Sequence, residues 1–539
     1  MQIVKNSWQE EVRGNNMYRL WRKLLRLQPI LKKMNSQYSD IQDQIQKARQ
    51  LLLDEQKGIH NNLFNVQSIE RVKQYTENLI HLNQTEENIL KQKAKVNWLQ
   101  LGDGNNAFYH AYVRDRNKQK GMYAMESVNG CSLSKPEDIE EEVLQFYAKL
   151  VGTKSLNLRC IDITTVRNGK TLDRESACQL IRPVEEGEVW NALKSIGKNK
   201  APGVDGFNAY FFTATWQIVK NDVTAAVKEF FHNGKMLKVF NCSLVTLIPK
   251  NPDAKTVKDM RPIACCSTIY KIISKILTTR LGKVISKLVD ESQSAFVPGR
   301  HIQDNIILAQ ELIRGYNRKN ISPRCMVQMD IQKAYDTVDW NALAQIMQEM
   351  GIPQMFRNWV MECVTTTSYR FNINGSPSKI LEAKRGLRQG DPISPLLFVL
   401  VMEYLHRMFQ NLNNNPNFNF HPKCEKLKLI DMCFADDIVI FAMRGDVSNV
   451  EFTTAICRRW SRMTILPNLQ LGTNEVLFPK GCVLCSCSLW ERGMMTIQRK
   501  LAEATGILFG ASFQSNVSWT LPLNRRKSSD TTTFVKRAR

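Results

Sequence analysis

The stretch Met432-Cys433-Phe434-Ala435-Asp436-Asp437-Ile438-Val439-Ile440-Phe441 sets two adjacent carboxylates between two runs of strand-forming apolar residues. The pattern predicts strand, tight turn, strand, with the acids at the turn. Side chains alternate faces along a strand, so packing alone seldom sets two consecutive aspartates inside a hydrophobic hairpin. Unpaired carboxylates are costly to bury, and a divalent cation is one way to offset that cost. Asp-Asp is equally good turn chemistry, so the stretch by itself leaves a metal site and a plain turn both open.

The rest of the chain supplies context. It has 539 residues and 43% hydrophobic content, enough for several domains with real cores. Lys and Arg number 74 against 51 Asp and Glu, a formal charge of +23. Such an excess predicts a polyanionic partner, nucleic acid or an acidic membrane surface. The longest apolar candidate, Pro392 to Leu405, is broken by Ser394 and Glu403 and is too short to span a bilayer. The N-terminus lacks a signal-peptide core, so the fourteen cysteines are expected to be reduced thiols and the protein intracellular, not secreted.

A second acid suits the first pair. Cys325-Met326-Val327-Gln328-Met329-Asp330 reads as a strand ending on a carboxylate. Asp330 and Asp436 on neighbouring strands would meet the needs of polymerase chemistry, in which two Mg²⁺ ions about 3.5–4 Å apart serve the attacking hydroxyl and the leaving pyrophosphate. Carboxylate and water ligation suits Mg²⁺, with Mn²⁺ as the alternative ion, and Asp437 could add a ligand or tune the site. Between the acids lies Arg385-Gly386-Leu387-Arg388-Gln389-Gly390-Asp391-Pro392-Ile393-Ser394-Pro395, a glycine-bearing turn feeding an apolar helix. Gly390 would permit close approach to a ligand and Arg388 could meet phosphate, or Asp391 and Ser394 could simply cap the helix.

Six motifs occur in order: Leu247-Ile248-Pro249-Lys250, Arg261-Pro262-Ile263, Ser294-Ala295-Phe296-Val297-Pro298-Gly299-Arg300, Asp330 through Asp336, Gly386 through Pro395, and Phe434-Ala435-Asp436-Asp437. Together they resemble reverse transcriptases of non-LTR (LINE-type) retrotransposons of the plant kind, over about residues 90–445. The resemblance implies an α+β fold, a right-hand polymerase with fingers and palm and an antiparallel palm sheet. It implies that Asp330, Asp436 and Asp437 are catalytic metal ligands, with Ile331 contributing its backbone carbonyl. Lys250 and Arg261 would grip the triphosphate, Tyr335 would exclude a ribose 2′-OH, and Gln389 and Gly390 would pack against the incoming nucleotide and template. Lys271, Lys275 and Arg280 on the basic helix Tyr270 to Lys287, together with Arg300 and Arg388, are the candidate nucleic-acid contacts.

The implied activity is that of an RNA-directed DNA polymerase, a nucleotidyltransferase using dNTPs, an element RNA template and a DNA primer. It would work in a nuclear or cytoplasmic ribonucleoprotein. The alternative is a catalytically inactive remnant that only binds nucleic acid. Four segments are expected: residues 1–110, an α-helical basic arm with a helical hairpin broken near Gly58 to Asn65; 111–181, a connector; 182–460, fingers and palm; and 461–539, a poorly structured tail. Relative to the family pattern, the chain is expected to begin in the linker after an endonuclease and to lack a complete thumb. The cluster Cys482, Cys485 and Cys487 has no fourth ligand near it, so zinc is not expected.

Overall fold

A computed structural model describes residues 1–36, 40–61, 66–94, 111, 122–154, 160–314, 324–331, 333–443, 447–464 and 471–474. The chain is mixed helix and sheet. The hairpin expected at 432–441 forms: β9 (Asp431–Phe434) and β10 (Asp437–Met443) pair antiparallel, with Asp437 opposite Phe434. On its other edge β10 pairs antiparallel with β5 (Arg324–Ile331), and Asp437 falls opposite Asp330. A fourth strand, β11 (Leu471–Asn474), joins β5 with Gly472 opposite Asp330. The order β11-β5-β10-β9 makes one antiparallel sheet with both acidic positions in its middle.

A second sheet stands beside the first. Here β3 (Cys242–Pro249) pairs antiparallel with β4 (Met260–Cys265) and parallel with β6 (Ser368–Ile373). A capping box between Thr256 and Asp259 shapes the turn between β3 and β4, the Thr256 hydroxyl donating to the Asp259 carboxylate at 2.8 Å.

The apolar run noticed in the sequence becomes an axial helix, Ser394–Gln410, buried on every side from Leu396 to Phe409. Its apolar side chains anchor the main hydrophobic cluster, with Glu403, His406 and Arg407 buried among them. No helix among the described residues is long and apolar enough to cross a membrane. The cysteines whose side chains are described are free thiols.

Segments expected as arm and connector contribute helices that pack against the rest of the chain. The arm does contain a helical hairpin, Ile41–Asn61 against Val66–Ala94, broken where Gly58 to Asn65 predicts. Its first helices, Gln2–Gln9 and Asn16–Ser36, instead join the main core: Leu20, Leu24 and Leu27 are fully buried there. The Trp8 indole and Lys23 both donate to Asp222 of the helix Trp216–Asn233, at 2.7 and 2.9 Å. The connector likewise carries the helix Pro136–Leu150, whose Tyr147 ring stacks on Phe371 of β6 at 4.6 Å.

The tail expectation also needs correction at its start. The helix Val447–Thr464 runs past residue 460, and β11 lies wholly within the segment expected to lack structure. Edge pairing to β5 supplies order that local composition does not encode. Gly102 to His110, the Cys482, Cys485 and Cys487 cluster and the basic end of the chain lie outside the described residues.

Candidate active site

The β9–β10 connection is a two-residue turn, Ala435-Asp436. Ala435 adopts a left-handed φ of 57°, whereas Asp436 does not, which is the pattern of a type II′ hairpin turn. Glycine usually fills that first position, and a Cβ there costs about 1–2 kcal/mol. The turn therefore needs support, and it has it: Ala435 N–H donates to the Gln293 side-chain oxygen at 3.3 Å. The strand before it is also held, with Cys433 N–H donating to Ser292 O at 3.0 Å and Ser294 N–H to Cys433 O at 3.2 Å.

This turn presents half-buried Asp436 to a cavity of about 380 Å³. Lys250, Arg261, Tyr335, Gln389 and Gly390 all line the same cavity, so five residues from four motifs converge on one space with Asp436. Lys250 and Arg261 are exposed on the β3–β4 hairpin. Lys250 is steered by its backbone N–H to Asp259 O at 2.8 Å and by its amine to Lys258 O at 2.9 Å. Tyr335 stacks on Phe398 of the axial helix with ring centres 4.5 Å apart and planes 20° from parallel. Burial, then the Asp436 charge, push its phenol well above the ordinary tyrosine range.

The Gln389-Gly390 turn is built by backbone contact. Ala264 N–H donates to Gln389 O at 2.9 Å, and a Cβ on Gly390, at φ +104°, would sit 2.9 Å from Ala264 O. Beneath it, Asp391 accepts from the Tyr270 and Ser274 hydroxyls and, at 3.4 Å, from the N–H of Ile393, which itself holds the N-cap position without a side-chain bond. The helix-capping expectation for Asp391 and Ser394 is thus replaced by an internal anchor.

Three of the expected nucleic-acid contacts are corrected. Arg280 is 3% exposed and forks onto Glu188, at 3.0 and 2.8 Å, while also donating to the carbonyls of Leu180, Arg182 and Pro183. Arg388 is 4% exposed and donates to Asn241, Ser243 and Cys363. Arg300 donates to the carbonyls of Val289, Asp290 and Gln293. Arg280 and Arg388 satisfy oxygens of distant segments and Arg300 carbonyls of its own loop, so each guanidinium directs its donors into the protein. Lys271 is half-buried and donates to Ala201 O at 2.9 Å, tying down the Ala201-Pro202-Gly203 loop; Lys275 is half-buried.

Sequence reasoning missed the three ionisable residues Tyr147, Lys333 and Asp336 of the cavity wall. Tyr147 arrives from the supposed connector. Lys333, left-handed at φ 52°, lies 4.0 Å over the Phe146 ring. Burial lowers its amine to about 8, against the pull of Asp336 and with the push of Lys250 and Lys258. Asp336 is 8% exposed, and burial raises its carboxyl to about 6 despite Lys333, Lys250 and the Gln389 amide. Both stand within the Asp330 through Asp336 motif, where roles were expected only of Asp330, Ile331 and Tyr335.

For a cation, the donor set at the turn is hard oxygen: the Asp436 and Asp437 carboxylates, with Asp330 opposite Asp437 in the backbone register and Ile331 next along β5. Oxygen donors of this kind suit Mg²⁺, Mn²⁺ or Ca²⁺ rather than zinc. Among the residues whose side chains are described, which do not include Asp330, no group of three or more His, Cys, Asp and Glu stands together as a metal site.

Residues 248–464 match the family described as reverse transcriptase (RNA-dependent DNA polymerase). The chain is 26% identical over 342 residues to the Transposon TX1 uncharacterized 149 kDa protein of Xenopus laevis, covering 63% of this chain and 26% of that one. It is 27% identical over 277 residues to the Retrovirus-related Pol polyprotein from type-1 retrotransposable element R2 of Nasonia vitripennis, covering 50% and 26%. It is 21% identical over 346 residues to the Probable RNA-directed DNA polymerase from transposon BS of Drosophila melanogaster, covering 60% and 36%. The chain spans about a quarter to a third of the length of these curated relatives. The acidic turn and all of the cavity wall except Tyr147 thus lie in the stretch that matches the reverse transcriptase family, and the chain is similar to proteins of transposons and retrotransposable elements.

Proposed function

We propose that this chain is an RNA-directed DNA polymerase of a retrotransposon, adding dNTPs to a primer 3′-OH on an RNA template. The observation that carries the reading is the convergence on one cavity of Asp436, at a turn whose next residue pairs with Asp330, and the exposed cations Lys250 and Arg261. The antiparallel sheet β11-β5-β10-β9 serves as the palm and the β3–β4 hairpin as part of the fingers. The element RNA, a DNA primer or target and dNTPs are the partners, in a nuclear or cytoplasmic ribonucleoprotein. The plant affiliation rests on the motif order alone, the three relatives named above being animal.

Asp330, Asp436, Asp437 and the Ile331 carbonyl would hold two Mg²⁺ ions, which supply charge stabilisation at the attacking and leaving oxygens. Lys250 and Arg261 would bind the triphosphate from the opposite wall, one as a point charge and the other as a fork of donors. Lys333 adds a third cation to the same cavity. Tyr335, fixed by its stack on Phe398, would close the space beside C2′ of the sugar and so select deoxyribose. Gln389 and Gly390 would bring backbone close to the nascent base pair, because neither a Cβ nor a bulky side chain intervenes at Gly390.

The test is extension of an oligo(dT) primer on poly(rA) with Mg²⁺, comparing the chain with Asp436→Asn. Loss of a ligand charge at the turn should abolish extension. Equal, background-level extension by both proteins would refute polymerase activity and leave the nucleic-acid-binding remnant.

A further inference from the structure

We infer that Gln293 is a positioning residue of the active site: its buried carboxamide sets the left-handed Ala435 turn and thereby the orientation of Asp436. The inference rests on the polymerase reading above and deepens it.

Gln293 is 2% exposed. Its side-chain oxygen accepts two backbone N–H groups, Ala295 at 3.0 Å and Ala435 at 3.3 Å. One acceptor therefore joins two segments, the loop before the helix Ile302–Ile313 and the catalytic turn. Each of these segments holds a non-glycine residue in the left-handed region, Phe296 at φ 59° and Ala435 at φ 57°. Such residues persist only where the surroundings over-determine them. The two N–H donors also fix which end of the amide is oxygen.

The loop that carries Gln293 is itself clamped. The Arg300 guanidinium donates to the Gln293 carbonyl at 2.6 Å and to that of Val289 at 3.0 Å. On the far side, Gln293 pairs with Cys433 of β9 in an isolated parallel bridge, and the Asn305 amide donates to Cys433 O at 3.3 Å. The whole arrangement bears on one end of one hairpin. It reaches no other part of the cavity wall.

The amide nitrogen of Gln293 is buried without a hydrogen-bond partner. An orphan buried donor is costly, and the cost would be avoided by an apolar side chain of equal length. Its retention here is explained by the oxygen: only a side chain with an acceptor at that reach can hold Ala435 N–H. Without it the turn has a left-handed alanine and a buried, unpaired N–H, and other turn conformations compete. Asp436 follows Ala435 directly, so every such change swings its carboxylate.

Two full-length variants test this, Gln293→Met, which keeps length but lacks an acceptor, and Gln293→Glu, which restores one. The readouts are kcat and KM for dTTP on oligo(dT)·poly(rA), the thermal midpoint, and Tb³⁺ luminescence at the site that Asp436→Asn removes and Mg²⁺ competes for. For Gln293→Met, kcat should fall about tenfold or more with KM within about twofold, Tb³⁺ should bind more weakly, and Gln293→Glu should recover most of both. Unchanged kcat and Tb³⁺ affinity in Gln293→Met would overturn the assignment. So would a loss that Gln293→Glu fails to recover, which marks packing alone. If the unmodified chain makes no DNA, the polymerase reading fails, while the Tb³⁺ comparison still decides the role of Gln293.

Discussion

Replacing Arg388 by methionine separates a phosphate contact from an internal tie. The guanidinium donates to Asn241 O at 3.3 Å, Asn241 Oδ1 at 2.6 Å, Ser243 Oγ at 3.0 Å and Cys363 O at 3.2 Å. It also lies 4.0 Å over the Tyr270 ring and 3.5 Å from the Asp391 carboxylate, with both charged side chains nearly inaccessible. Removing one partner of a buried ion pair costs about 3–5 kcal/mol, because the other charge stays buried. Asp391 keeps its bonds from Tyr270 and Ser274, which argues for the lower end, about 3 kcal/mol. With a urea slope of about 3 kcal/mol per molar for a domain of this size, the unfolding midpoint should drop by about 1 M. The salt dependence of single-stranded RNA binding, measured on the folded variant, should not change. A lost phosphate contact would instead flatten the log–log slope by about 0.7. An unshifted midpoint with a flatter slope would refute the structural reasoning and reinstate the phosphate contact.

Two other perturbations follow from the same geometry. His406, on the axial helix, contacts both oxygens of Asp431 at 3.0 and 3.1 Å; burial opposes its charge, but Asp431, Glu403 and Asp290 outweigh it and raise the imidazole to about 9. A raised histidine stabilises fully below its unfolded value and loses that contribution as pH climbs through the folded one. The advantage of the unmodified chain over His406→Gln should therefore be at most about 3 kcal/mol at pH 6 and shrink steadily toward pH 9 in denaturation series. A difference independent of pH would show that the ring is neutral throughout. Gly386 has φ +89°, and an added Cβ would lie 2.6 Å from Asp336 O. Gly386→Ala should cost about 2–4 kcal/mol of stability and shift the Asp336 backbone, lowering extension rate as well as thermal midpoint. An unaltered midpoint would show that the turn yields without cost.

What the sequence determined by itself was local and repetitive. Runs of strand-forming residues over Met432 to Phe441 and Cys325 to Asp330 specified strands, and the apolar run after Pro392 specified a buried helix; the helical hairpin breaks after Asn61, with Gly58 still inside its first helix. The motif order went further and named Asp436, Lys250, Arg261, Tyr335, Gln389 and Gly390, which the fold does bring to one cavity. All but Tyr335 are exposed or at a turn; Tyr335 is half-buried in the short helix Ala334–Thr337 and held by its stack on Phe398.

The arginines were decided elsewhere. Arg280, Arg300 and Arg388 look alike in sequence to any phosphate-binding residue, because a guanidinium is equally suited to phosphate and to backbone carbonyls. Which of the two it meets depends on segments up to 147 residues away, such as Asn241 for Arg388. The same holds for β11, which is ordered by pairing with β5 rather than by its own composition. It holds most of all for Gln293, an unremarked polar residue one position before a quoted motif. Only the tertiary structure carries its oxygen across 142 residues of chain to the Ala435 N–H, and so to the acidic turn that the sequence had already marked.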